Sequence, residues 1–147
     1  MKILVDADAC PVKNIIEKMA EDYQLPVLMV CNPSHMIKSS YAQILVVDGS
    51  SQAVDIAIVN RTEPGDIIVT QDYGLASLVL AKKAAAIHPS GKIYNAENID
   101  ELLMQRFVNF KARQARLKVS NPKKRRSSDD EHFQINFERM LKNRLGN

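Results

Sequence analysis

Short apolar runs alternate with amphipathic stretches along this chain, in a rhythm that predicts repeated strand–helix units. Ile3-Leu4-Val5, within a strand expected over 2–8, has no polar face, which is the pattern of a strand buried on both sides. Pro11 suits the first turn of a helix, and Val12, Ile15, Ile16 and Met19 recur at helical spacing before Pro26 stops it. Residues 26–31 and 44–47 are two further apolar runs, ended by Asn32-Pro33 and Asp48-Gly49. Ser50 or Ser51 suits the cap of a helix carrying Val54, Ile58 and Val59. Pro64-Gly65 turns into a fourth strand over 66–70, and the Ala/Leu-rich stretch 73–83 predicts a helix with Leu75, Leu78 and Val79 toward the sheet. Residues 85–88 are expected as a fifth, edge strand, followed by a turn and a brief extended piece over 92–94.

After Asn98 a long amphipathic helix carries Ile99, Leu102, Leu103, Phe107 and Phe110 toward the body. Residues 120–131 have the polarity and charge of a linker. Beyond them Phe133, Phe137, Met140 and Leu141 share one helical face, which predicts docking on the body or on a second subunit, so a homodimer is one expectation. The chain thus divides into an α/β domain over 1–119, a linker over 120–131 and a C-terminal helix over 132–147. Strands separated by helices imply an α/β class with a mainly parallel sheet.

At 147 residues the chain is one ordinary domain, long enough to bury its core without disulfides. It has no apolar run near the ~20 residues of a membrane span, and Met1 leads straight into a strand, so no membrane partner and a cytoplasmic location are expected. The net charge of +3 hides an asymmetry. Lys111, Arg113, Arg116, Lys118, Lys123, Lys124, Arg125 and Arg126 form a basic segment without an acid, whereas the remainder has 12 basic against 17 acidic residues, a net of −5. Such a segment suits the phosphates of a nucleic acid. Cys10 and Cys31 lack metal-ligand spacing and read as reduced, buried thiols; the place of Cys10 before a helix start leaves a reactive role as the lesser reading.

The candidate chemistry lies in the aspartates. Asp6 and Asp8 follow the first apolar run, and Asp72 follows Ile67-Ile68-Val69. Carboxylates at the C-terminal edge of parallel strands stand where open α/β sheets bind ligands, and carboxylate oxygens are the donors that Mg²⁺ or Mn²⁺ prefers. A two-metal phosphodiester cleavage site needs several such groups, and Asp55 on an intervening helix is a fourth candidate. The bland reading is that aspartates after strands cap helices and start turns, which is all that is expected of Asp48 and Asp66.

Asp6-Ala7-Asp8-Ala9-Cys10-Pro11-Val12, with Val47-Asp48-Gly49, Ala53-Val54-Asp55 and the stretch from Gly65 through Asp72-Tyr73-Gly74-Leu75-Ala76, resembles the YaiI/YqxD family of bacterial proteins over nearly the whole chain. That family is similar to the PIN-like nucleases. The resemblance implies a three-layer α/β/α fold and Mg²⁺- or Mn²⁺-dependent cleavage of RNA. It gives Asp6, Asp55 and Asp72 the part of metal-holding acids, while Asp8 and Cys10-Pro11 belong to the narrower family's motif. Thr70 is then expected to hydrogen-bond a metal-holding carboxylate or a water. Family members often carry a Gly-Pro-Lys-Pro-like stretch before the last helix, where this chain has Ser120-Asn121-Pro122-Lys123-Lys124.

Two other readings stay open. Asp6-Ala7-Asp8 also suits a haloacid-dehalogenase-like phosphatase, with Asp6 attacking phosphorus and Asp8 handling protons, although Cys10 stands where that motif needs Thr or Val. The third is a non-catalytic RNA-binding or assembly protein on the same scaffold. His35 and His88 are assigned to turns, since a two-metal mechanism activates water through its ions.

Overall fold

The computed structural model describes residues 1–35, 37–119 and 123–146, and the statements below concern those residues. Strands β1 (Ile3–Asp6), β2 (Val27–Cys31), β3 (Gln43–Val46), β4 (Ile67–Val69), β5 (Ala85–Ile87) and β6 (Ile93–Tyr94) form one sheet in the order β3-β2-β1-β4-β5-β6. The first five are parallel. β6 pairs antiparallel with β5, so the extended piece after the turn, and not residues 85–87, forms that edge.

Helices α1 (Lys13–Asp22) and α5 (Ser127–Arg144) cover one face, and α2 (Ser51–Arg61), α3 (Tyr73–Ala81) and α4 (Ala96–Gln114) cover the other. The alternation of β1 explains its unbroken apolar run. Ile3 and Val5 point into the layer of Ile16, Met19, Phe133 and Phe137, while Leu4 points into that of Val54, Ile58, Leu75 and Val79. The result is the expected three-layer α/β/α arrangement around a mainly parallel sheet.

The last helix docks on its own chain. Phe133 and Phe137 stack with ring centroids 5.1 Å apart and are fully buried with Leu141 against the sheet. Gly91 makes this approach possible. Its φ of +96° favours glycine, and a Cβ there would lie 2.7 Å from the backbone carbon of His132. Asn136 Nδ2 also donates to the Gly91 carbonyl at 2.7 Å. α5 begins at Ser127, five residues before the boundary expected at 132, because Asp129 accepts from the Arg126 N–H at 2.9 Å and the acids Asp129 and Asp130 suit a helix N-terminus. Residues 120–122 of the expected linker lie outside the described residues.

Three side chains depart from the expected core. Leu78 of α3 is 54% exposed, and Phe107 and Phe110 of α4 are each 56% exposed. α4 starts earlier than expected, through reciprocal bonds between Asn95 and Asn98, and only its first turns, with Ile99 buried and Leu102 and Leu103 half-buried, meet the body. At ~1.5 Å per residue its 19 residues span about 28 Å, and the second half runs beyond the core that would have covered both phenylalanines.

Candidate functional site

The strand order fixes where a ligand crevice falls. Successive connections run outward from β1 through β2 to β3, and from β4 to β5 in the opposite direction, so the switch lies between β1 and β4 at their carboxyl ends. Asp6 is the last residue of β1, and Asp72 follows β4 as the N-cap of α3. Both predicted strand-end acids therefore meet at that crevice.

Thr70 joins them. Its hydroxyl donates to Asp6 Oδ2 at 2.9 Å and accepts from the Asp72 backbone N–H at 2.9 Å, and the residue is buried. Asp72 Oδ1 in turn accepts from the N–H groups of Gly74 at 2.8 Å and Leu75 at 3.2 Å, which is an ordinary N-cap. Gly74 leaves room for it: a Cβ there would stand 3.2 Å from that oxygen. Gln71 Nε2 donates to the Ala9 carbonyl at 2.6 Å, tying this loop to the short 3-10 turn Ala7–Ala9 after β1. The capping reading and the functional reading of Asp72 are thus both available, since Oδ1 takes the cap bonds.

Asp55 enters from α2 on the same side of the sheet. Burial, then the charges of Asp72 and Asp6 and a side-chain hydrogen bond shared with Asp72, push its carboxyl up to about 7. Asp6 is raised as well, chiefly by burial and further by the charges of Asp72 and Asp8, against the lowering effect of the Thr70 hydrogen bond. The charge of Asp72 thus opposes the ionisation of both Asp55 and Asp6, and that of Asp6 opposes Asp55 as well, so aspartates from three elements lie close together. Nevertheless, among the described residues no three His, Cys, Asp or Glu side chains are grouped tightly enough to enclose a metal ion.

Asp8 does something else. It sits in the 3-10 turn, and its two oxygens accept from the Asn32 backbone N–H at 3.0 Å and from Asn32 Nδ2 at 2.9 Å. His35 Nδ1 lies 3.3 Å from Oδ1. Asp8 thereby pins the loop after β2 to the loop after β1, and touches the acidic cluster only through its charge on Asp6. The His88 ring is taken up by Ser90 in the β5–β6 turn. Cys10 and Cys31 are free and buried, and burial raises both thiols, as suits unreactive core cysteines.

An open pocket of about 420 Å³ lies over Asp6 and Asp72, lined by those two acids, Gln71, Tyr73 and Arg106; Asp55 is not among its lining residues. Arg106 falls outside the basic segment and is not among the residues that the sequence singles out; its guanidinium is 3.9 Å from Asp72 Oδ1. Its position on α4 four residues after Leu102 is the signal that places it on the body-facing side. Of the basic segment, Lys111, Arg113, Arg116, Lys118, Lys123, Lys124 and Arg126 are exposed. Arg125 is engaged, donating to Asp130 and, at 3.0 Å, to the Pro89 carbonyl. No described helix is long and apolar enough to cross a membrane.

Residues 4–143 match the family model described as "Uncharacterized BCR, YaiI/YqxD family". The chain is 46% identical over 143 residues to a UPF0178 protein of Clostridium acetobutylicum, covering 96% of this chain and 97% of that one. It is 47% identical over 145 residues to a UPF0178 protein of Lachnoclostridium phytofermentans, with 97% of each covered, and 49% identical over 141 residues to one of Alkaliphilus oremlandii, with 96% and 88% covered. No solved structure matches the chain.

Proposed function

The chain belongs to the YaiI/YqxD family, and from that premise we propose that it is a PIN-like, Mg²⁺- or Mn²⁺-dependent hydrolase of phosphodiester bonds in RNA. The observation that carries this reading is the closeness of Asp55 to Asp6 and Asp72 beside the switch point of the sheet, where burial and then the charges of those two acids oppose the ionisation of Asp55. A carboxyl pushed up to about 7 by burial and by two nearby carboxylates is one that a bound cation would favour in its ionised form. The donor set fits a hard divalent cation in its chemistry, being all carboxylate oxygen.

When bound, the cation supplies charge neutralisation and Lewis acidity at the scissile phosphate. The protein's own part is to hold the acids. Thr70 fixes Asp6 and the start of α3 together, the α3 N-cap bonds fix Asp72, and α2 carries Asp55 across the layer. Arg106, at the rim of the same pocket, suits a phosphate oxygen of the substrate.

The phosphatase reading loses support because both oxygens of Asp8 are occupied by Asn32, which leaves it poorly placed to shuttle protons beside Asp6. The non-catalytic RNA-binding reading is favoured by the loose grouping of the acids. Incubating wild type and Asp72→Asn with a labelled single-stranded RNA in Mn²⁺ separates them. Asn caps helices as well as Asp does, so the variant should keep its circular dichroism and lose cleavage. Equal cleavage by both proteins would refute the site, and no cleavage by wild type, with RNA still bound, would favour the non-catalytic reading.

A further inference from the structure

The pocket over the acids does not end at Arg106. A second hollow, of about 190 Å³, shares Tyr73 and Arg106 with it and continues from Tyr73 at the start of α3 along α4, past Leu102, Gln105 and Asn109 to Arg113. Positions 102, 106, 109 and 113 follow one another at helical spacing, so a single face of α4 floors the hollow. We propose that this groove holds the backbone of a single-stranded nucleic acid as it leaves the acidic site, with Arg106 and Arg113 each taking a phosphate and Tyr73 offering its ring to a base. The proposal rests on the phosphodiesterase reading and gives it a substrate path.

Charge favours it. Arg106 and Arg113 are the cations lining the two hollows among the described residues, and the opposite end of the channel is carboxylate. Arg106 is not consumed by Asp72: the approach is a single contact of 3.9 Å, and its side chain is 65% exposed. A guanidinium so placed has donors left for a phosphate. Spacing also fits. Seven residues of helix put the two arginines about 10 Å apart along the axis, and a stacked strand rises ~3.4 Å per nucleotide, so the two phosphates belong to nucleotides roughly three apart.

Tyr73 distinguishes a single strand from a duplex. It is half-buried, with its ring edge-to-face on Tyr94 at 6.1 Å, which holds the ring in place beside the groove. Only an unpaired strand has base faces free to use such a platform. The path takes only Arg113 from the basic segment, whose Arg125 is committed to Asp130 and Pro89, and adds Arg106, which lies outside that segment and beside the acids.

Fluorescence anisotropy with a labelled eight-nucleotide oligouridylate, with and without Mn²⁺ and over a range of salt, tests the path. Samples are also run on gels so that binding and cleavage are read separately. Arg106→Gln and Arg113→Gln should each weaken binding about tenfold at low salt, as the loss of one charged hydrogen bond implies. Each should reduce the slope of log affinity against log salt by ~0.7. Tyr73→Leu should weaken binding without changing that slope, and Lys18→Gln, on the opposite layer, should change neither. Unchanged binding in both arginine variants, or a loss confined to a Lys123→Gln/Lys124→Gln variant, would overturn the proposal. So would wild type that binds nothing under either condition. Arginine-dependent binding without cleavage would keep the path and refute the hydrolase reading, so the two failures are distinguishable.

Discussion

Thr70→Val removes one hydroxyl from a buried, β-branched position and leaves its volume nearly unchanged, which isolates the two bonds that hold the acidic site together. The hydroxyl donates to the Asp6 carboxylate and accepts from the Asp72 N–H, each at 2.9 Å. A hydrogen bond to a charged group contributes about 1.5–3 kcal/mol, and the N–H left without its partner adds ~1 kcal/mol at a half-exposed position. Partial access of water to both aspartates reduces the sum, so a loss of roughly 2–3 kcal/mol is expected. For a chain of this size that corresponds to a fall in Tm of about 6–10 °C, read by circular dichroism. The loss also has a pH signature. The bond favours ionised Asp6 and opposes the burial that raises it, so its contribution is full above the folded pKa of Asp6 and fades as the pH falls through it. Wild type and variant should therefore differ more at pH 8 than at pH 4. Thr70→Ser, which keeps the hydroxyl, should recover most of the difference. Equal stability of Thr70→Val and wild type, or a deficit independent of pH, would refute the role given to this residue.

Asp55→Asn should raise Tm at pH 8, because it removes a carboxyl whose ionisation is resisted up to about 7; the gain should shrink between pH 7 and pH 4, where wild-type Asp55 takes up its proton, and a gain that persists at pH 4 would contradict the repulsion. Asp66 behaves oppositely: burial raises it, but Lys2 Nζ and the N–H groups of Glu63 and Lys2 outweigh burial and hold it below its ordinary value, so it stabilises the fold above pH ~4 and the benefit is lost as acid protonates it. Lys2→Met should cost about 1–3 kcal/mol at neutral pH by denaturant unfolding and little at pH 2. Phe133→Ala should cost about 3–5 kcal/mol, whereas Phe107→Ser should shift stability by no more than ~0.5 kcal/mol, and similar values for the two would contradict the placement of α4 and α5. Gly91→Ala should destabilise through both its positive φ and the backbone of His132 behind it; an unchanged Tm would place α5 elsewhere.

Much of this organisation is legible in the sequence, since strand-end acids and helical periodicity are local signals. Asp6 and Asp72 stand beside uninterrupted apolar runs, and the covering helices announce themselves through Ile16, Val54, Leu75 and Phe133. What escaped is set by tertiary placement. Asp8 follows the same apolar run as Asp6 two residues later, and only the fold turns it toward Asn32. Periodicity made Phe107 and Phe110 core residues, but burial needs a surface opposite, and the body ends before α4 does. Arg106 resembles any other helix cation until α3 brings Asp72 against it. Its position four residues after Leu102 was the available signal.

Calorimetric titration of Mn²⁺ into wild type and Asp6→Asn tests the central claim most directly, followed by the same two proteins on a labelled single-stranded RNA. The account predicts a binding isotherm and cleavage for wild type, both abolished or severely weakened in the variant. Mn²⁺ binding of equal strength in the two proteins, or RNA cleavage that survives Asp6→Asn, would contradict it.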